Sequence, residues 1–222
     1  YINVGTTKIN ATFQINTGAF GGGTNDCVYG ANADLVYNHN SGIFYGPIDG
    51  NHKYWPSVNS PTNVTVNANS PINLNVSRTV SGLFQIADGV LLTSANLTLN
   101  GICQINAGGY FNQSPVFGNI STLKYNTNGT YGRGLEWIYN GVGTIGTTPG
   151  YPNHVQLSNN TTLNYNNGTP LNKAIAGNLT IDSGSSFYMD YGGGASGGVL
   201  TIAGNVVNNG TFKLGNAVGD DL

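Results

Sequence analysis

The stretch Leu-Lys-Tyr-Asn-Thr-Asn-Gly-Thr-Tyr-Gly-Arg-Gly-Leu-Glu-Trp-Ile, residues 123–138, has an earlier echo in the chain. Residues 35–46 open with Leu-Val-Tyr-Asn, continue through a polar stretch and end on an aromatic residue and a glycine. Leu123 lies 88 residues after Leu35, and a fixed period of this kind indicates a repeat architecture. We interpret the chain as one continuous repeat segment of a longer protein, with these parts: the end of a preceding unit (residues 1–34), a first unit (35–122) and a second unit (123–222).

The composition favours extended structure. Only 7% of the 222 residues are charged, against about 25% in an ordinary soluble domain. Glycine and asparagine supply 34 residues each, and both are poor helix formers, because glycine loses backbone entropy and the asparagine side chain competes for backbone hydrogen bonds. This bias would also suit a disordered chain, but 39% of the residues are apolar and they recur in short alternating runs. We therefore expect a folded chain rich in strands.

Short strands are predicted where apolar residues alternate with Asn or Thr between Asp-Gly, Ser-Gly and Asn-Gly turns. A proline opens the strand that follows each of two insertions, since proline is tolerated at the start of a strand but not inside a central ladder. The predicted strands are residues 61–66, 72–76, 83–86, 90–92, 97–99, 152–157, 163–165, 179–181, 187–189, 199–202, 206–207 and 212–214.

The strands and the repeat together predict an all-β chain folded as a right-handed parallel β-helix, a β-solenoid, with glycine-rich and aromatic loop insertions. In such a solenoid the inward residues of each coil stack on the same positions of the next coil, and asparagine side chains form ladders. Low charge fits this fold, because like charges stacked about 4.8 Å apart repel. A pair of immunoglobulin-like sandwiches is the alternative, but its usual Cys and Trp spacing is absent.

Two insertions rich in glycine and aromatic residues follow the Leu-x-Tyr-Asn elements, at residues 43–56 and 131–151. Aromatic side chains in a glycine-rich loop form a surface on which sugar rings can stack. We therefore predict contact with a glycan or another partner at six residues of these insertions: Tyr54, Trp55, Tyr131, Trp137, Tyr139 and Tyr151. The alternative is that the two tryptophans hold the insertions down on the flank of the solenoid.

The acidic residues predict turns and a loop contact, and we expect no enzymatic activity. A polysaccharide lyase or glycosidase would need two or more carboxylates brought together. Asp88 and Asp182 instead stand next to or near glycine at equivalent turns, where aspartate accepts backbone N–H bonds. Glu136 is expected to form a loop salt bridge with Arg133.

We predict no metal site and no cofactor. His39, His52 and His154 have no Cys or carboxylate at zinc-ligand spacing, and the Gly-Gly-x-Gly-x-Asp calcium repeat is missing. Cys27 and Cys103 stand at different places in the repeat. We therefore expect two buried, unpaired thiols instead of a disulfide.

The charge pattern argues against nucleic acid and membrane partners. The formal net charge is −2, and the five Lys and two Arg are spread singly, so no basic patch is available to neutralise phosphates. No apolar run approaches the roughly 18 residues that span a bilayer. We expect no membrane insertion, and any export signal is expected outside these residues.

Several motifs in the second unit carry a resemblance to known proteins. They are Thr-Tyr-Gly-x-Gly-x-Glu-Trp (130–137), Gly-Tyr-Pro-x-x-Val (150–155), Ala-Gly-Asn-Leu-Thr-Ile-Asp-Ser-Gly-Ser-Ser (176–186) and Leu-Thr-Ile-x-Gly-Asn-Val (200–206). In this order they resemble repeat regions of large secreted or cell-surface proteins of Bacteroidota, which are exported by the type IX secretion system. The first unit matches loosely, because its insertion lacks the Gly-x-Glu-Trp core.

The resemblance implies a non-catalytic structural or adhesive segment that works outside the cell or on its surface. It implies export through a sorting domain that lies outside this chain, with surface glycans or other cell-surface proteins as partners. A glycan-binding module that uses the aromatic loops is the alternative. A polysaccharide-degrading β-helix enzyme is a third hypothesis, which would need a groove with clustered carboxylates.

Overall fold

The computed structural model describes residues 8–18, 25–39, 53–68, 72–74, 76–87, 90–92, 97–132, 134–138, 141–164, 172–190 and 199–215. This part of the chain contains short β-strands and one 3-10 turn, at Leu135–Trp137. The strands in chain order are β1 Lys8–Ile9, β2 Thr12–Asn16, β3 Val28–Tyr29, β4 Asp34–His39, β5 Asn63–Ala68, β6 Ile72–Asn73, β7 Arg78–Val80, β8 Leu83–Ala87, β9 Val90–Leu92, β10 Leu97–Leu99, β11 Ile102–Asn106, β12 Tyr110–Phe111, β13 Val116–Phe117, β14 Thr122–Asn126, β15 Thr130–Gly132, β16 His154–Leu157, β17 Thr162–Asn164, β18 Lys173–Ile175, β19 Leu179–Ile181, β20 Ser186–Asp190, β21 Leu200–Ile202, β22 Val206–Asn208 and β23 Thr211–Gly215.

All pairings between these strands are parallel. The largest sheet has nine strands, in the order β2-β4-β5-β8-β11-β14-β16-β19-β22. The smaller sheets are β1-β3, β13-β10-β7, β12-β9-β6, β15-β17-β20-β23 and β18-β21. The predicted all-β class is thus confirmed, and the sheets are parallel.

The chain repeatedly leaves the nine-stranded sheet and returns to it, after intervals of 19 to 32 residues. After β5 it passes through β6 and β7, which belong to two smaller sheets, and β8 then pairs with β5. After β16 it passes through β17 and β18 in the same way before β19 pairs with β16. Leu35 and Leu123, the starts of the two Leu-x-Tyr-Asn elements, lie in one column of this sheet, four strands apart. Their spacing of 88 residues therefore corresponds to four returns.

Two columns of inward side chains under the nine-stranded sheet form the core between β4 and β19. The first column is Leu35, Val64, Phe84, Cys103, Leu123, Val155 and Leu179, and the second is Tyr37, Val66, Ile86, Ile105, Tyr125, Leu157 and Ile181. Every one of these side chains is at most 2% exposed. Burial of a large apolar side chain stabilises by about 1.5–3 kcal/mol, so the columns hold successive strands together.

Asparagine side chains form the predicted ladders at the ends of these strands. Asn38 Nδ2 donates to Asn16 Oδ1 at 2.9 Å, and Asn67 Nδ2 donates to Asn38 Oδ1 at 2.9 Å. Further along the sheet, Asn126 Nδ2 donates to Asn106 Oδ1, also at 2.9 Å. In-register parallel strands place identical side chains close enough for these bonds.

Both cysteines are buried and unpaired, as predicted. Cys103 belongs to the first core column, and Cys27 directly precedes β3. Burial raises the pKa of both thiols, because the charged thiolate is disfavoured away from water.

Candidate functional site

The second insertion is anchored by Trp137, at the end of the 3-10 turn. Its side chain is 0% exposed. The indole Nε1–H donates to the carbonyl oxygen of Ala174 in β18 at 3.1 Å, and the indole ring lies 6.3 Å from the ring of Phe187 in β20. A buried tryptophan whose N–H has a partner contributes apolar contact without leaving a polar group unpaired. Trp137 therefore fastens the insertion to strands that follow it in the chain.

Glu136 precedes this tryptophan and is also 0% exposed. Its Oε1 accepts a hydrogen bond from the Tyr125 hydroxyl at 2.9 Å and another from the Gly134 N–H at 2.9 Å. The pKa values of Tyr125 and Tyr131 are raised well above the usual tyrosine range. Burial is the main cause, and the charge of Glu136 is the second. The insertion therefore places an acidic group against the second core column.

Two further side chains hold the backbone of the same turn. Lys173, the first residue of β18, is 2% exposed, and its Nζ donates to the Ile138 carbonyl oxygen at 2.8 Å. On the other side, Ser114 Oγ donates to the Leu135 carbonyl oxygen at 2.7 Å. A buried ammonium group is costly unless it is hydrogen-bonded, so the Lys173 contact fixes both partners.

The first insertion is anchored by Trp55, which is likewise 0% exposed. Arg78, the first residue of β7, donates from Nε to the Trp55 carbonyl oxygen at 2.5 Å and from Nη1 to the Ser77 carbonyl oxygen at 2.8 Å. The Tyr29 hydroxyl donates to the Tyr54 carbonyl oxygen at 2.6 Å. Burial lowers the pKa of the Arg78 guanidinium, since desolvation penalises a cation.

Arg78 and Lys173 occupy equivalent places relative to the two insertions. Each begins the third strand after an insertion: β5, β6 and β7 follow the first insertion, and β16, β17 and β18 follow the second. Each binds a backbone carbonyl at the buried tryptophan or at the residue after it. We call these two contacts the cation clamps.

Sequence reasoning missed the cation clamps, because lysine and arginine are almost never fully buried. A weak signal was present. The chain has only seven Lys and Arg residues, and two of them stand two positions before an inward apolar residue, in Arg78-Thr79-Val80 and Lys173-Ala174-Ile175. Strand alternation places residues i and i+2 on one face, so this spacing could have placed both cations on the inward face.

The residues predicted to contact a glycan are mostly covered. Tyr54 and Tyr151 are buried like the two tryptophans, while Tyr131 is half-buried and its hydroxyl is enclosed. Tyr139 lies outside the described residues. The insertion tryptophans therefore present no open face on which a sugar ring could stack. This burial fits the alternative hypothesis, in which the two tryptophans hold the insertions down. Contact of these six residues with a partner stays a prediction.

The acidic turn at Asp182 is present as predicted, although its side chain has a different partner. The Ser185 N–H donates to the Asp182 carbonyl oxygen at 3.0 Å, and Gly184 adopts φ 81°, which favours glycine. Asp182 Oδ2 accepts from Gln156 Nε2 at 2.8 Å. The equivalent turn at Asp88 and the Arg133 partner expected for Glu136 lie outside the described residues.

The histidines and acids show no metal-binding arrangement in the part of the chain that the structure describes. His154 Nδ1 accepts the Asn178 N–H at 2.9 Å, a structural contact between β16 and the residue before β19. His52 is outside the described residues, and nothing is described of the His39 side chain. Among the described positions, no group of three or more His, Cys, Asp or Glu residues is placed to hold a metal ion.

Comparisons with protein-family models, curated proteins and solved structures find no match to this chain. Within the described ranges, no helix is both long and apolar enough to cross a membrane.

Proposed function

We propose that the chain is a right-handed parallel β-helix that serves as a non-catalytic structural or adhesive repeat segment of a large secreted or cell-surface protein. The supporting observation is the nine-stranded parallel sheet, whose neighbouring strands repeat the same inward positions from β4 to β19. Each interval between neighbouring strands of that sheet is one coil of the proposed solenoid. Such a stack can be lengthened coil by coil, which suits a stalk that carries other domains away from a surface.

The resemblance of the second unit to repeat regions of type IX secretion substrates supports an extracellular or cell-surface location. Export would use a sorting domain outside this chain. The buried anchors add support for a structural role. Glu136, Trp137 and Trp55, the residues that look most reactive or most adhesive in the sequence, are all fully enclosed.

Deletion of one coil tests the fold part of this proposal. Residues 83–101 run from the start of β8 to the residue before β11, and Leu83 and Ile102 lie in the same column. Without them, β11 can pair with β5, so we expect a cooperatively folded, all-β protein about 4.8 Å shorter by small-angle scattering. A sandwich that lost three strands would expose its core and unfold. Loss of cooperative unfolding in the deletion variant, with wild-type behaviour in the full chain, would contradict the solenoid.

A further inference from the structure

The outward face of the nine-stranded sheet carries mostly uncharged polar side chains, with Val36, Leu83 and Ile102 as apolar members. We call the outward side chains of β2, β4, β5, β8, β11, β14, β16 and β19 the amide face. Its central column is Gln14, Val36, Thr65, Gln85, Gln104, Lys124, Gln156 and Thr180. All eight are at least partly exposed. At about 4.8 Å per strand the column extends roughly 35 Å.

The ladders on this face leave hydrogen-bonding capacity toward solvent. Asn38 donates one N–H to Asn16 and accepts one from Asn67. A side-chain amide has two N–H groups and two acceptor lone pairs, so one donor and one acceptor of Asn38 remain after the ladder bonds. Gln104 Nε2 donates to Gln85 Oε1 at 3.3 Å and to Asn106 Oδ1 at 3.0 Å, so both of its N–H groups are used, while Gln104 Oε1 and the Gln85 N–H groups take no part in these bonds. The face thus offers unused donors or acceptors at β4, β8 and β11.

The charges on the amide face are few, and its carboxylates already accept hydrogen bonds from neighbouring amides. Asp34 Oδ1 accepts from Asn63 Nδ2 at 2.8 Å, and Asp182, just after β19, accepts from Gln156. Lys124 is the cation of the central column. One cation among these strands is too little to hold a polyanion, which requires several. The chemistry that fits is an uncharged polymer whose groups both donate and accept hydrogen bonds.

We propose that the amide face binds a neutral polysaccharide that lies along the ladders. Each sugar hydroxyl is both a donor and an acceptor, which matches the remaining capacity of the amides. The proposal rests on the adhesive role proposed for the chain and names the class of partner. It places adhesion on the sheet and not on the buried insertion aromatics.

Retention of the full chain on insoluble cellulose, chitin and starch tests the proposal, with a polygalacturonate gel as the anionic comparison. We expect retention on at least one neutral polymer and none on the anionic gel. Replacing Gln85 and Gln104 together by Ala is expected to weaken that retention about tenfold, the equivalent of about 1.4 kcal/mol. Thr98→Ala, in β10 of a smaller sheet and half-buried, is the matched control and should change retention less than about twofold.

Thermal unfolding followed by circular dichroism separates lost binding from lost structure. If the double variant does not fold, Gln104→Ala alone should still weaken retention measurably. No retention on any neutral polymer, retention on the anionic gel alone, or equal loss in Thr98→Ala would each overturn the proposal. None of these outcomes changes the result expected for the variant that lacks residues 83–101. The binding proposal and the solenoid proposal can therefore be contradicted separately.

Discussion

The two insertions are clamped in the same way at their backbones. Arg78 binds the Trp55 carbonyl, and Lys173 binds the Ile138 carbonyl, directly after Trp137. In both units a cation at the start of a strand reaches a carbonyl next to a buried indole. The same kind of hydrogen bond, from a buried cation to a backbone carbonyl, thus forms at both insertions although their sequences differ.

The insertions differ in the charge beside the core tyrosine. Tyr37 and Tyr125 hold equivalent places in the second core column, four strands apart. The charge of Arg78 acts on Tyr37 and opposes the effect of burial on its pKa. Tyr125 instead donates its hydroxyl to Glu136, whose charge adds to the effect of burial. Two tyrosines of the same core column therefore lie beside groups of opposite charge, Tyr37 beside Arg78 and Tyr125 beside Glu136.

The largest expected effect is alkaline destabilisation of the whole chain. Burial raises the pKa of Tyr29, Tyr37, Tyr125 and Tyr131 above the usual 10.0. As pH rises past about 10, these tyrosines lose their protons in the unfolded chain before they do so in the folded chain. Their ionisation therefore favours unfolding, and the free energy of unfolding is unaffected below about pH 10 and falls above it. At pH 11 the expected loss is about 1.4 kcal/mol for each of them. Urea unfolding at pH 8, 10 and 11 measures this loss.

Matched tyrosine variants in the second core column test whether buried phenols cause this loss. Tyr37→Phe and Tyr125→Phe each remove one group whose pKa is raised by burial and that ionises when the chain unfolds. Each variant should lose about 1.4 kcal/mol less stability than the unmodified chain between pH 8 and pH 11. An unchanged loss in both variants would mean that these tyrosines do not control the alkaline destabilisation.

The next largest effect is expected from removing either anchor. Trp55→Ala and Trp137→Ala each leave a large cavity at a fully buried site, and we expect each to destabilise by about 3–5 kcal/mol. Chemical denaturation measures this loss, with Val142→Ala, at a 74% exposed position of the second insertion, as the control. A loss below about 1 kcal/mol at either tryptophan would show that the indole is not an anchor.

Much of the strand pattern could be predicted from the sequence, because alternation reports directly which residues face inward. The predicted strands at residues 90–92, 97–99 and 179–181 match β9, β10 and β19 residue for residue. Strands β1 to β4, β7, β11 to β15 and β18 were not predicted. In β18, Lys173-Ala174-Ile175 shows no polar-apolar alternation because all three side chains are buried.

The candidate site was harder to predict, because side-chain depth in an insertion depends on distant strands. Trp137 is enclosed by contacts with Ala174 and Phe187, which follow it by 37 and 50 residues. No local pattern in the insertion encodes those contacts. Burial of Glu136 was equally hidden, since its donor Tyr125 belongs to β14, which is separated from the turn by β15.

A smaller effect is expected from Glu136, and it tests the hydrogen bonds that this buried carboxyl group accepts. Glu136→Ala leaves the Tyr125 hydroxyl and the Gly134 N–H without their acceptor, and we expect a loss of about 2–3 kcal/mol. Glu136→Gln keeps an acceptor oxygen but no charge and should lose less. If the two variants lost equal stability in urea unfolding, the hydrogen bonds to Glu136 would not be what stabilises the turn.

The smallest difference is expected between Trp55→Phe and Trp137→Phe. Both variants replace an indole ring by a smaller phenyl ring, so the loss of ring volume is the same at the two sites. Trp137→Phe also removes the N–H bond to the Ala174 carbonyl, whereas no described residue accepts the Trp55 Nε1–H. A hydrogen bond contributes about 1 kcal/mol net, while an unpaired buried N–H costs stability. We therefore expect Trp137→Phe to be the more destabilising by about 1–2 kcal/mol. Equal losses in urea unfolding would mean that the Trp55 N–H has a partner in the first insertion, and that the two anchors differ only in the charge beside their tyrosines.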